Sequence, residues 1–143
     1  MAAVYISISS LQERMTTIKV NDLSAGLTGS PQTTFLTHVI ERAQDLIDSF
    51  AANLYTVPFS GTIPNIVPEW TYRIAEYELY KRGLGGDVPQ KYKDSYKEVY
   101  EQLKDMAAGT LKIIGASRNS TVGNSLQFDS DVPLFDEENM DYF

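Results

Sequence analysis

His38 is the one histidine in the sequence. A zinc site built on imidazoles, or a Ser–His–Asp triad, needs partners that this position lacks. The plainer reading of His38 is a helix residue on the flank of the core. Asp45 and Asp48 come next, three residues apart. Two carboxylates at that spacing could divide acid and base roles if burial raised the pKa of one of them. Arg42 and Asn53 fall on much the same side, which reads as a solvated helix face. Gly83-Leu84-Gly85-Gly86 has the glycine content of a phosphate loop. It lacks the preceding strand and the Lys-Ser/Thr ending that such a loop uses. With no cysteine, disulfides, thiolate metal sites and a cysteine nucleophile are excluded. The expectation is a chain with no catalytic residue, no metal and no cofactor, and therefore not an enzyme.

Tyrosine is abundant, with nine copies. Trp70, Tyr72, Tyr77, Tyr80, Tyr92, Tyr96 and Tyr100 cluster in one stretch. Aromatic rings beside basic residues can stack nucleic-acid bases, but at helical spacing core packing is the plainer account. A large apolar body with one polar tip also suits subunit interfaces. The net charge of −7 opposes nucleic acid as a direct ligand, because phosphate contacts need the opposite sign. It also opposes adsorption to anionic lipid. No stretch is apolar enough to span a bilayer, and the first ten residues lack the pattern of a signal peptide.

The elements that must carry these residues read as helices. With 143 residues, one domain is expected. Ser10-Leu11-Gln12-Glu13 fits a capping box, followed by Leu11, Met15 and Ile18 at helical spacing. Asn21 to Ser30 reads as a loop. Ser30-Pro31 is a favourable helix start. Leu36, Val39, Ile40, Ala43, Leu46, Ile47, Phe50, Ala51 and Leu54 then keep to one face, the clearest amphipathic pattern in the chain. Pro58 disfavours helix just before it, so the helix should end near Leu54 or Tyr55. A third helix runs to about Arg82, with Ile66, Trp70, Ile74, Tyr77 and Leu84 as its inward side, and glycines at 83, 85 and 86 stop it. Asp87 is expected to cap a fourth, with Gln90 as reciprocal partner. Its seam is Tyr92, Tyr96, Val99, Leu103 and Met106. Gly109 ends it, and Leu111 to Ile114 is a short β-prone run.

The character changes after residue 115. Residues 1–115 hold 11 Lys or Arg and 13 Asp or Glu, a net of −2, whereas residues 116–143 hold one base and six acids, a net of −5. Ser117 to Ser125 has the Ser, Thr, Asn and Gly content of a linker. An acidic stretch follows that carries Phe128, Val132, Pro133, Leu134, Phe135, Met140, Tyr142 and Phe143. Full burial of such an apolar side chain is worth on the order of 1.5–3 kcal/mol. An arm that docks on a neighbour uses these residues better than a tail that only aids solubility.

Four pieces of this pattern resemble a Mu-like phage family of proteins of unknown function, related to the head–tail connector, or adaptor, proteins of tailed phages. The first is Ala43-Gln44-Asp45-Leu46-Ile47-Asp48-Ser49-Phe50, leading to Leu54-Tyr55-Thr56-Val57-Pro58-Phe59. The second is Ile63-Pro64-Asn65-Ile66-Val67 with Arg73 to Arg82. The third is Tyr92 to Gly109 with Leu111-Lys112-Ile113-Ile114. The last is Val132-Pro133-Leu134-Phe135-Asp136 with Met140-Asp141-Tyr142-Phe143. The resemblance covers about Tyr5 to Phe143. Two departures are Asp136, Glu137, Glu138 and Asp141 where a basic residue is expected, and Glu69-Trp70 in place of a leucine-rich stretch.

The resemblance implies a neck subunit that assembles as a dodecameric ring beneath the portal protein, with no catalytic residues. The fold class expected is mainly α: a connector-like bundle of about four helices over 1–115, a short β segment, and an extended arm over 116–143. The candidate partner-binding residues are Pro133, Leu134, Phe135, Met140, Tyr142 and Phe143 in the arm, with Tyr55 and Pro58 in the Tyr-x-x-Pro turn. The expected partners are further copies of the chain, the portal and adjoining neck or tail proteins, in the virion. Two alternatives stay open: a head-closure or tail-completion protein, and a cytoplasmic helical regulator whose acidic tail grips a basic partner.

Overall fold

The computed structural model describes residues 4–24, 26–82 and 87–118. They form five helices: α1 (Ile8–Met15), α2 (Thr17–Leu23), α3 (Gly29–Ala51), α4 (Ile66–Arg82) and α5 (Gln90–Ala108). The fold is mainly helical. Helices α3, α4 and α5 pack against one another as a three-helix bundle. The short α1 and α2 close one side, α1 against α3 and α2 against α4.

α1 begins three residues earlier than the Ser10 box suggests. Ser7 is the cap: its Oγ accepts from the Ser10 N–H at 3.1 Å, and Ser10 Oγ accepts from the Ser7 N–H at 3.0 Å. Ile6 precedes the cap and Leu11 lies four residues into the helix; both are buried in one cluster. This apolar staple fixes the start at Ser7, because a cap at Ser10 would leave Ile6 outside the helix-packing frame. The expected single helix through Ile18 is broken at Thr16, whose φ is 73°. A β-branched residue pays on the order of 1–3 kcal/mol there. The break rotates the next turn so that Val20 and Leu23 turn inward and Ile18 is left 76% exposed. Part of the expected loop from Asn21 is therefore helix.

α3 keeps its apolar stripe: Leu36, Val39, Ile40, Ala43, Ile47 and Ala51 are buried. It ends at Ala51, and the Ala51 carbonyl accepts from the amides of Leu54 and Tyr55 in a closing turn. The Val57–Pro58 peptide is cis. α4 is the central helix. Val67, Trp70, Thr71, Ile74, Ala75, Leu79 and Tyr80 are all buried, more positions than one stripe can hold. Neighbours on several sides (α2, α3 and α5) account for that. The Trp70 Nε1–H donates to Gln102 Oε1 at 2.7 Å and ties α4 to α5.

On α5 the expected seam is present. Val99, Leu103 and Met106 are fully buried, while Tyr92 and Tyr96 pack at the edge. The cap is not Asp87: the helix starts at Gln90 behind Pro89, with no side-chain cap bond, and Gln90 Nε2 donates to Asp94 instead. Gly109 ends it with φ 85°, a left-handed turn that glycine takes without strain. The β-prone run Leu111–Ile114 forms no strand. Only one isolated bridge occurs among the described residues, Tyr55 with Arg118. A strand needs a partner along its length, and the one bridge that Tyr55 makes is to Arg118, outside this run. The buried apolar residues of the described chain fall between Tyr5 and Ile113, in two clusters. No described helix is long and apolar enough to cross a membrane.

Candidate assembly surface

α4 and α5 carry an aromatic ladder along their shared edge. Tyr77 stacks on Tyr96 at 4.1 Å, Tyr96 lies 6.4 Å from Tyr100, and Phe50 of α3 meets Tyr100 edge-on at 5.4 Å. A second pair, Tyr80 and Tyr92, sits 4.4 Å apart further along the groove. Burial holds the Tyr92 and Tyr96 phenols above their ordinary pKa, so both stay neutral. The ladder is half in the core and half on the surface, with Tyr100 39% exposed. The core packing expected of these rings is present at Tyr77, Tyr80, Tyr92 and Tyr96.

Lysines border the ladder. Lys81 lies 6.0 Å from the Tyr77 ring centre, and Lys104 lies 5.5 Å from that of Tyr100. At about 100° per residue, Lys93, Lys97, Tyr100 and Lys104 fall within about 60° of one another on α5. All four are exposed. The acids of α5 (Asp94, Glu98, Glu101 and Asp105) fall on a separate stripe. Glu101 pairs with Lys104 at 3.4 Å, not with Lys97. Lys93 and Lys97 make no ion pair with a described residue. The clustering was legible in the helical spacing, but the sequence reading did not draw it.

The carboxylate pair is not a simple solvated face. Asp45 is exposed, as expected, but Asp48 is half-buried. The Tyr5 hydroxyl donates to Asp48 Oδ1 at 2.5 Å and accepts from the Phe59 N–H at 3.0 Å. The Tyr5 amide donates to the buried Gln44 Oε1 at 2.7 Å. Burial raises the Asp48 carboxyl above its ordinary range, the Tyr5 hydrogen bond opposes that, and Asp45 adds to it. Tyr5 lies between 39 and 54 residues from these partners, a separation that helical periodicity cannot bridge. This knot ties the N-terminal segment to α3 and to the turn after it. His38 is exposed on α3.

A polar cleft of about 460 Å³ lies between α1, α4 and α5, lined by Arg14, Arg73, Glu76, Lys91, Tyr92 and Glu98 among others. Arg14 holds Glu69 with two bonds at 2.8 and 3.0 Å and also meets Glu76. Arg73 joins Glu69 at 3.0 Å and Glu98 at 3.5 Å. Arg14 keeps Glu69 below its usual pKa, whereas burial raises Glu76. Arg14, Arg73, Glu69, Glu76 and Glu98 pair among themselves, so the cluster clamps α1 to α4. No group of three or more His, Asp or Glu among the described residues is placed to hold a metal ion.

Of the expected partner-binding residues, Tyr55 is 2% exposed. Its hydroxyl accepts from the Ile113 N–H at 2.9 Å, and Arg118 lies over its ring at 5.7 Å. As the chain is folded, Tyr55 belongs to the core and offers a partner almost no surface. Its role is to seat the segment after α5. Pro58 is exposed on the same turn. Pro133, Leu134, Phe135, Met140, Tyr142 and Phe143 lie outside the described residues.

Against this geometry, a family model described as bacteriophage Mu, Gp36 matches residues 5–130. The chain belongs to the bacteriophage Mu Gp36 family. The match takes in the whole described bundle and reaches into the acidic C-terminal stretch. It bears out the resemblance to Mu-like phage proteins carried by the second-helix ending, the Tyr-x-x-Pro turn and the α4 and α5 motifs. A search of curated proteins finds no match.

Proposed function

We propose that this member of the Mu Gp36 family is a structural subunit of the phage neck: a head–tail connector, or adaptor, that assembles as a ring beneath the portal and joins head to tail. The observation that carries the reading is the phage family match over nearly the whole chain. The body supports it: a bundle with a half-exposed tyrosine ladder is suited to packing against copies of itself. The acidic, apolar C-terminal stretch supplies a segment that can bridge subunits. Ring closure would then be driven by water released from these surfaces. On this reading the chain transforms no substrate; its partners are its own copies, the portal and adjoining neck proteins, and its place is the virion.

The test is the composition and the density of purified particles. The chain is expected in the neck, in a ring whose copy number can be counted. Particles complete without it would overturn the proposal. Deleting residues 126–143 is expected to leave the body folded, because the described core ends at Ile113, while abolishing head–tail joining. Turnover of any substrate that is lost on changing Asp45 or His38 would also overturn it.

A further inference from the structure

We infer that the lysine-and-tyrosine face of α5 receives the acidic, aromatic C-terminal segment, residues 128–143, of a second copy of this chain. The inference rests on reading the chain as an assembly subunit, since a segment seated on its own body would join nothing.

The charges match. Residues 119–143 hold six acids and no Lys or Arg. On α5, Lys93, Lys97 and Lys104 form one exposed stripe, and two of the three have no carboxylate partner among the described residues. Glu78, the α4 acid whose charge acts on Tyr96, is engaged by Arg82 at 3.6 Å. The apolar groups match as well. Asp136, Glu137, Glu138 and Asp141 are interleaved with Phe135, Met140, Tyr142 and Phe143. Tyr100 stands between the lysines with its ring edge and face already aligned to Tyr96 and Phe50. A carboxylate can reach an ammonium while the adjacent ring extends the ladder.

The lengths also fit. Lys93 to Lys104 spans about 16 Å of helix at 1.5 Å per residue. Five or six extended residues cover that distance. The described chain ends at Arg118, held on Tyr55 by the bridge and by the Thr56 N–H to Ser117 carbonyl bond at 2.8 Å. Residues 119–127 can then extend about 30 Å before the acidic stretch begins.

The experiment places a photoreactive residue in the full chain, Tyr100→p-benzoylphenylalanine. Equal amounts of ¹⁴N- and ¹⁵N-labelled protein are mixed, irradiated and analysed by mass spectrometry. The expected result is cross-links from position 100 into 128–143 that join one light and one heavy peptide. Their yield should fall on the order of tenfold in the triple variant Lys93→Glu/Lys97→Glu/Lys104→Glu. The unaltered lysines in about 1 M salt, where charges are screened within about 3 Å, should show the same fall without relying on that variant's folding. Cross-links confined to single-isotope pairs, cross-links elsewhere on the body, or none at all would overturn the inference. Cross-links to added duplex DNA in place of the segment would do so too. Presence of the chain in the neck is read separately from particle composition, so the two readings can fail independently.

Discussion

Tyr5→Phe removes one oxygen from the centre of the knot that fastens the N-terminal segment. That hydroxyl donates to Asp48 at 2.5 Å and accepts from the Phe59 amide at 3.0 Å. Phe59 is 3% exposed, so its amide has no ready replacement in water. An orphaned buried donor costs on the order of 1–3 kcal/mol, and the lost bond to Asp48 about 1 kcal/mol more. The ring itself still packs on Phe59, 5.9 Å away, so no cavity forms. The expected loss is roughly 2–4 kcal/mol. Asp48→Asn should behave differently. The amide oxygen still accepts from Tyr5, and a carboxylate that burial makes hard to ionise is gone. Its stability at pH 7 should equal or exceed that of the natural chain. The pH dependence follows from the raised Asp48 pKa. The folded chain holds that proton more tightly than the unfolded one, whose pKa is about 3.9. Stability relative to Asp48→Asn therefore rises as pH falls through the folded-state pKa, and levels off below the unfolded one. Urea denaturation of the full chain, followed by circular dichroism between about pH 4 and about pH 8, measures both effects. A Tyr5→Phe loss under about 0.5 kcal/mol with an unchanged m-value would refute the reasoning.

Arg14→Met leaves Glu76 with no ion-pair partner among the described residues and should cost roughly 1–3 kcal/mol, discounted because Arg14 and Glu69 are partly exposed. The deficit should shrink as pH falls, since the unpaired Glu76 carboxyl, already raised by burial, takes up a proton more readily; a deficit constant with pH in denaturant titrations would count against this. Gly109→Ala forces a side chain into φ 85° and should lower stability by about 1–2 kcal/mol; the added Cβ meets only Leu54 Cδ1 at 3.6 Å, so a loss far above that in thermal melts would point to a steric cause instead. Ile18→Ser should change stability by less than about 0.5 kcal/mol, while Leu11→Ala should cost about 2–5 kcal/mol; similar losses for the two would restore Ile18 to the core.

The sequence alone determined the helical class, the long apolar stripe of α3 and the buried seam of α5. Each is a local periodicity, repeated over many residues, that one helix face must bury. It also determined the Gly109 stop, because only a backbone without Cβ takes that turn cheaply, and the family, through motifs in a fixed order. Only the tertiary structure decided the rest. Which serine caps α1 depends on where Ile6 and Leu11 find their cover, and Thr16 accepts strain because the break buries Val20 and Leu23. Leu111–Ile114 has strand-forming residues but no strand among the described residues to pair with. Tyr55 belongs to the core because Ile113 and Arg118 return to it from more than 50 residues away. Asp48 resembled a solvated acid until Tyr5 was brought against it. Periodicity records which face of an element avoids water; what meets that face, and which polar groups are buried with it, is set by contacts distant in sequence, and those exist only once the chain has folded.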